Sequence, residues 1–315
     1  MSEQTACAKE PVDLSIIIVN WNTRDLLAQC LQSVYETVQG LECEIFVVDN
    51  ASSDGSAAMV RERFPCVRLV ENWENVGFAR ANNQAIREST GRYVVLLNPD
   101  TVVKPGALEA LVPFMDSHPQ AGAGGARLLN PDGTLQTSCY RAPTLSREFW
   151  RLFHLDAYWL YAHYDMASWG LDRPREVDVL KGACLILRRE ALDQVGLLDE
   201  DYFIYTEEVD LCQRLRHQGW KAYWLPQAAV VHYGGQSTQQ VAAQMFLSLY
   251  QTKLLYFRKN HGRRAAQLYK LILLAATLTR LLLSPVAWLE RSPQRRRHLI
   301  LAGHYGRLLL ALPKM

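Results

Sequence analysis

The sequence predicts an α/β chain: a mostly parallel central sheet flanked by helices, with a helical extension at the C-terminal end. Three observations carry this. Over the first hundred residues, four short aliphatic runs alternate with stretches of helical periodicity, the order that builds a parallel sheet. Polar residues follow each run directly, and the carboxyl edge of such a sheet is where ligands bind. The charge is split. Residues 1–240 hold 21 Lys+Arg against 31 acids, whereas residues 241–315 hold 13 against one, Glu290, within a formal net charge of +2.

Residues 1–12 contain Glu3 and Glu10 and no apolar run; they are expected to be a disordered lead-in without a signal peptide. Residues 14–19, with Ile16, Ile17 and Ile18, are β-branched and read as a buried parallel strand. The strand stops at Asn20-Trp21-Asn22-Thr23, a polar loop with one aromatic. Leu26, Leu27, Cys30, Leu31, Val34 and Tyr35 then follow helical spacing. Residues 44–48 form a second strand ended by Asp49-Asn50, and Ser52-Ser53-Asp54-Gly55 is a turn opening a short helix. Residues 67–70 are the third strand. Asn75-Val76-Gly77 leads into a helix carrying Ala79, Asn82, Asn83 and Ile86. The fourth strand, residues 93–97, is aromatic and aliphatic throughout and predicted to be buried on both faces. Pro99 ends its ladder, because proline has no N–H to give, and biases Asn98 toward extended geometry. Asn98 and Asp100 therefore stand at the end of a central strand, where a carboxylate suits a divalent cation carrying a phosphate. Capping of the next helix is the competing role for Asp100.

Pro105 is expected to start a helix running to about Asp116. Residues 121–126 are small and glycine-rich, and read equally as an edge strand or a close-packed connection. Residues 138–178 are crowded with aromatics, including Trp150, Tyr158, Trp159 and Tyr161, which fits either a cover over an acceptor or a satellite core. Residues 177–180 and 184–187 flank Lys181-Gly182-Ala183. A helix over 190–195 ends at Gly196. Glu207-Glu208-Val209-Asp210 opens a helix closed by Gly219. Acids in a first turn complement the helix dipole, but this cluster exceeds that need. Residues 220–225 are a further strand. Residues 230–235 return His232 to the same sheet edge, which raises a ligand role over the usual structural one.

The tail holds a helix over about 239–260, then an apolar stretch over 268–289 interrupted by Lys270, Arg280 and Pro285. A charge near the middle of a span is costly, so helices lying in the membrane interface are preferred, with Arg295, Arg296 and Arg297 on anionic headgroups. Nucleic acid ranks lower as a partner, because long aliphatic runs separate the basic residues; a homodimer through these helices stays open. The seven cysteines show no C-x-x-C spacing, which argues against a zinc site or a disulfide framework and for a reducing compartment. The expected units are the lead-in at 1–12, a catalytic domain at 13–238 and a membrane-associating region at 239–315.

The strings SIIIVNWNT, VVDNASSDGS, NVGFARANN, LLNPDT, KGACLILRREAL, GLLDEDYFIYTEEVDLCQRLR and VVHYGGQST occur in this order. Together they resemble the family 2 glycosyltransferases with the GT-A fold, most closely the rhamnosyltransferase-like branch, over residues 14–235. The resemblance implies inverting transfer of a sugar from a nucleoside diphosphate donor. A dTDP-linked rhamnose is its first candidate and a UDP-linked sugar the next, with a lipid-linked cell-surface glycan as acceptor. By position it implies that Trp21 stacks on the donor base, with Asn22 beside it, and that Asp49 hydrogen-bonds the base. Gly77 and Arg80 match the segment beneath the nucleotide. Asn98-Pro99-Asp100 matches the D-x-D element, with Asn98 replacing the first Asp and counted among the donor-binding residues. Asp100 and His232 match ligands of Mg²⁺ or Mn²⁺. Glu207-Glu208 matches a Glu-Asp pair whose second member is the base, so Glu208 is the expected catalytic carboxylate and Asp210 its competitor. The implied location is the cytoplasmic face of the inner membrane, bound peripherally. The changes at Asn98 and Glu208 motivate a second reading, a catalytically impaired nucleotide-sugar-binding subunit of a glycan assembly complex. A nucleotidyltransferase would want a glycine-rich phosphate loop after the first strand, and Asn20-Trp21-Asn22 is not one.

Overall fold

A computed structural model of the chain describes residues 12–284 and 295–315; the expected lead-in through residue 11, Pro285 and the end of the apolar stretch lie outside them. Strand β1 (Leu14–Asn20) is buried along its whole length, and helix α1 (Arg24–Thr37) returns the chain to β2 (Cys43–Asp49). Helix α2 (Ser56–Arg63) leads to the edge strand β3 (Arg68–Glu71), and α3 (Phe78–Glu88) to β4 (Tyr93–Leu97), again wholly buried. These four strands pair in parallel in the order β3-β2-β1-β4. Alternate side chains serve two faces, as strand geometry requires. Ile16, Ile18, Val95 and Leu97 meet Leu27 and Leu31 on one side. Ile17, Val19, Val94 and Leu96 meet Ala81 and Ala85 on the other.

The sheet then becomes mixed. Strand β5 (Thr101–Val103) follows β4 almost at once, and α4 (Ala107–Ser117) begins after a turn at Pro105-Gly106 rather than at Pro105 itself. Strand β5 was not expected, because it is too short for a period to show. It removes Asp100 from the start of α4, so the capping alternative fails. Strand β6 (Ala121–Leu129) is an interior strand, neither the edge strand nor the connection that residues 121–126 suggested. Its residues are small because neighbours fill the space above them: a Cβ on Gly125 would lie 2.6 Å from Leu180 Cδ2, and one on Gly124 2.8 Å from Ile186 Cγ2.

Strand β7 (Cys139–Tyr140), helix α5 (Leu145–Leu152), strand β8 (Arg175–Val177) and strand β9 (Val179–Leu180) lie in the aromatic region, where β7 and β9 form a small second sheet. Strand β10 (Cys184–Arg188) runs antiparallel between β4 and β6. After α6 (Arg189–Val195) and α7 (Glu207–His217), β11 (Lys221–His232) pairs in parallel with β6 and antiparallel with β5. The strand expected at 220–225 thus runs on to His232, with an irregularity between Leu225 and Ala229.

The short helix α8 (Gln236–Gln239) precedes α9 (Ala242–Leu283), which is two helical halves joined at Gly262, whose backbone is non-helical (φ 86°, ψ 170°). Its first half sets Tyr250, Leu254, Tyr256 and Phe257 around the buried Tyr202. Its second half sets Tyr269 and Leu273 against Leu152 of α5 and against Tyr305 and Leu308 of α10 (Arg295–Ala311). Lys253 Nζ donates to the buried Glu148 carboxylate at 3.2 Å, fixing α9 to α5. The packing therefore runs on across residue 238, where a boundary was expected.

Candidate active site

The ends of β1, β4 and β11 and the start of α7 surround one cleft of about 590 Å³, a size suited to a small-molecule ligand. It is lined by Asn98, Pro99, Asp100 and His232, by Tyr205, Glu207 and Glu208, and by Trp21, Asn50, Asn75 and Gly77. Residues from α9, namely Gln244 and Met245, complete the rim.

Asp100 is buried at the end of β4, with its Oδ1 3.3 Å from His232 Nε2. Burial works against its charge, but the His232 contact and a backbone N–H from Gln236 outweigh it and hold the carboxyl below the usual range. The orientation of His232 is fixed by Gln136, which the sequence reading missed. Gln136 Nε2 donates to Asn130 Oδ1 and to the His232 carbonyl, each at 3.0 Å. Its Oε1 is therefore turned inward, where it accepts from His232 Nδ1 at 2.6 Å and from Lys181 Nζ at 3.0 Å. An amide oxygen only accepts, so Nδ1 carries a proton in either charge state of the imidazole. Nε2 then either donates to Asp100 or offers a lone pair on that side. Asn98 Nδ2 lies 3.4 Å from Nε2.

The test for a divalent cation follows from this donor set. Among the described residues no three His, Cys, Asp or Glu side chains stand together as a ready cage. A buried carboxylate and an imidazole side by side at a cleft nevertheless fit an ion that takes its remaining ligands from a diphosphate and water. Asp100 and His232 would hold it.

The backbone of Tyr205 and Thr206 is left-handed (φ 69° and 76°), a conformation costing roughly 1–2 kcal/mol per non-glycine residue. This turn aims Glu207 and Glu208 from the first turn of α7 into the cleft. Thr252 of α9 braces it: Thr252 Oγ1 donates to Leu249 O, so it accepts from Thr206 Oγ1 at 3.1 Å. Neither Glu207 Oε2 nor Glu208 Oε2 has a hydrogen-bond partner among the described residues. Burial, and then the charge of Glu208, pushes Glu207 well above the ordinary carboxyl range. Burial also raises Glu208, opposed by backbone hydrogen bonds and by the Lys181 charge. Burial in turn lowers Lys181 against the pull of Asp100 and Glu208. A carboxylate with a raised pKa, facing a cleft with a free oxygen, can take a proton from a hydroxyl.

Of the other expected site residues, only Gly77 is among those lining the cleft. Asp210 points away, accepting from Arg214 Nε at 2.7 Å and from Asn260 Nδ2 at 2.9 Å. Asp49 is buried, and its two oxygens accept from Asn20 Nδ2 and Ser52 N at 3.0 Å each. It holds the Trp21 loop, while Asn50 provides the neighbouring cleft wall. Asn22 does similar work through Ser53 N, with its own φ at 52°. Arg80 is half-exposed and faces Glu200 at 3.4 Å. Gly77 lies in the cleft wall, where a Cβ would sit 2.5 Å from Phe203 O; only glycine lets these loops meet, and Phe78 N donates to that oxygen at 2.6 Å.

A family model for glycosyl transferase family 2 matches residues 15–196. The chain belongs to that family. Its curated relatives include the N-acetylglucosaminyl-diphospho-decaprenol L-rhamnosyltransferase of Mycobacterium tuberculosis, 31% identical over 69% of this chain and 75% of that protein. Among solved structures, the mannosyltransferase PcManGT from Pyrobaculum calidifontis, in complex with GDP-Man and Mn²⁺, superposes with a TM-score of 0.55. It is 20% identical, with 96% of this chain and 88% of that chain covered. GalNAc-T7 with UDP, GalNAc and Mn²⁺ gives a TM-score of 0.55 at 15% identity, over 71% of this chain and 44% of that one. These structural likenesses establish the fold expected from the motifs: a mostly parallel sheet flanked by helices, of the GT-A kind. As a family 2 enzyme, this chain is a glycosyltransferase.

Proposed function

We propose that the cleft binds a nucleoside diphosphate sugar and transfers the sugar, with inversion, to a hydroxyl of a lipid-linked cell-surface glycan. Glu208 is the single base. The observation that carries this reading is the convergence of two groups on one cleft: the Asp100–His232 pair, and Glu208, whose Oε2 has no hydrogen-bond partner among the described residues and whose pKa burial raises. Glu208 takes the acceptor proton as its oxygen attacks the anomeric carbon from the face opposite the leaving group. Asp100 and His232 would hold Mg²⁺ or Mn²⁺, which would supply charge to stabilise the departing diphosphate. Trp21 offers a face for the base. Asn98 and Gly77 line the donor cavity, and Asn22, Asp49 and Arg80 order the loops around it. Lys181 adds a positive charge that both Asp100 and Glu208 feel.

The donor we favour is dTDP-linked rhamnose, with UDP-linked sugars next, since a rhamnosyltransferase is the relative at 31% identity. The apolar tail favours a peripheral position on the cytoplasmic face of the inner membrane, where a lipid-linked acceptor presents its glycan. Asn98 in place of an acid favours the alternative of a binding subunit without turnover. Release of nucleoside diphosphate from a panel of dTDP-, UDP- and GDP-sugars, with a lipid-linked acceptor and Mn²⁺, separates the two. The enzyme reading expects acceptor-dependent release from one donor. Donor binding without release would support the alternative.

A further inference from the structure

Two apolar features of the surface find no cover within the described residues. The first is the loop after α5, where Tyr158 is 89% and Trp159 70% exposed, followed by the half-exposed Leu160 and Tyr161. This loop is held in shape. Trp150 Nε1 donates to Trp159 O at 2.8 Å, and its ring meets Trp159 and Tyr161 edge-on at 6.2 and 5.8 Å between centroids. Asp156 Oδ1 accepts from the backbone of Tyr161 and Ala162 at 3.0 Å each. The second is a stripe on α9. Leu268, Leu271, Ala275, Leu278 and Leu282 are exposed and recur at three- and four-residue steps, one face of a helix. The opposite face carries the buried Ala266, Tyr269, Leu273 and Ala276.

The two features adjoin. Helix α5 packs on α9 through Leu152, and Arg280 of α9 donates to Leu152 O and lies 3.0 Å from His154 Nε2, at the root of the aromatic loop. We propose that this loop and the stripe form one docking surface for the interfacial layer of a bilayer containing anionic phospholipid. The proposal rests on the membrane-facing reading of the tail and adds the loop as a second contact. Charge selects the occupant. Residues 241–315 hold 13 Lys+Arg and one acid, and the exposed Arg263 and Arg264 stand just before the stripe. Anionic headgroups complement that charge, whereas a second copy of this chain would oppose like with like. Tyr and Trp, with apolar rings and a polar tip, suit the boundary between headgroups and acyl chains.

The test is flotation of the full chain with vesicles of phosphatidylcholine alone and of equimolar phosphatidylcholine and phosphatidylglycerol. It compares the wild type, Tyr158→Ser/Trp159→Ser and the tail variant Leu271→Glu/Leu278→Glu. Wild type is expected to float with the anionic vesicles. The loop variant should partition roughly tenfold less or worse, as expected for withdrawing one large aromatic from an apolar environment. Its UDP-induced thermal shift should be unchanged. If the loop variant floats like wild type while the tail variant does not, the loop contact is wrong and the tail reading stands. If wild type floats with neither vesicle, both fall. If the loop variant instead abolishes self-association seen by sedimentation without lipid, the surface belongs to a second copy, and the proposal is overturned.

Discussion

Lys181 lines the cleft within electrostatic reach of both Asp100 and Glu208, and its charge is one of the influences that oppose the raised pKa of Glu208. A base must be deprotonated to act, so the acid limb of the pH profile of kcat/KM reports it. That limb should lie above the ordinary glutamate value of about 4.3. Lys181→Met removes a positive charge that favours the carboxylate, so Glu208 should rise further and the limb move to higher pH. A limb unmoved or shifted down would remove Lys181 from the site's electrostatics. The string Lys181-Gly182-Ala183 was visible between two apolar runs, but nothing local says that a lysine there faces a cleft. Gln136 was missed for the same reason: its value lies in contacts with His232 and Lys181, both distant in sequence. Asp210 illustrates the opposite case. Its place beside Glu207-Glu208 made it a candidate, yet one helical turn carries it to Arg214 and Asn260. Asp210→Asn should act through stability, costing roughly 2–3 kcal/mol through weakened charge-assisted bonds, read as a lowered Tm with kcat retained in the folded fraction.

At the scale of elements, the four parallel strands were legible because each is a continuous aliphatic run followed by a polar turn. Strand β6 was ambiguous because its neighbours, Leu180, Ile186 and Leu225, supply the bulk that its own residues lack. Strand β5 offers only three residues and no period. The tail pattern showed two helices, and the structure breaks there: the backbone of Gly262 is non-helical (φ 86°, ψ 170°), so α9 is two helical halves joined at that residue. The two halves serve different ends. The first half of α9 lines the cleft and braces the strained Thr206, while the second half carries the exposed stripe. Thr252→Val removes the acceptor for Thr206 Oγ1 and should cost about 1 kcal/mol of stability. Because the turn aims Glu208, it should also lower kcat more than it raises KM for the donor, as steady-state kinetics would show. Unchanged kcat would confine Thr252 to packing.

The molecule as a whole joins a GT-A sheet, whose strand ends line the cleft, to helices that reach from the Tyr205-Thr206 turn to an apolar surface. A donor that dissolves in water and an acceptor anchored in lipid would meet in one cleft on such a frame. The most direct test of this account is the turnover of Glu208→Gln, with wild type, Glu207→Gln and Asp210→Asn alongside, measured with donor affinity on the same preparations. The glutamine keeps the size of the side chain and cannot accept the acceptor proton. Its kcat should fall by roughly 10²-fold or more, with the dissociation constant of the nucleotide sugar near that of wild type. Near-wild-type turnover in Glu208→Gln, with the loss appearing in Glu207→Gln or Asp210→Asn, would place the base elsewhere and contradict the account.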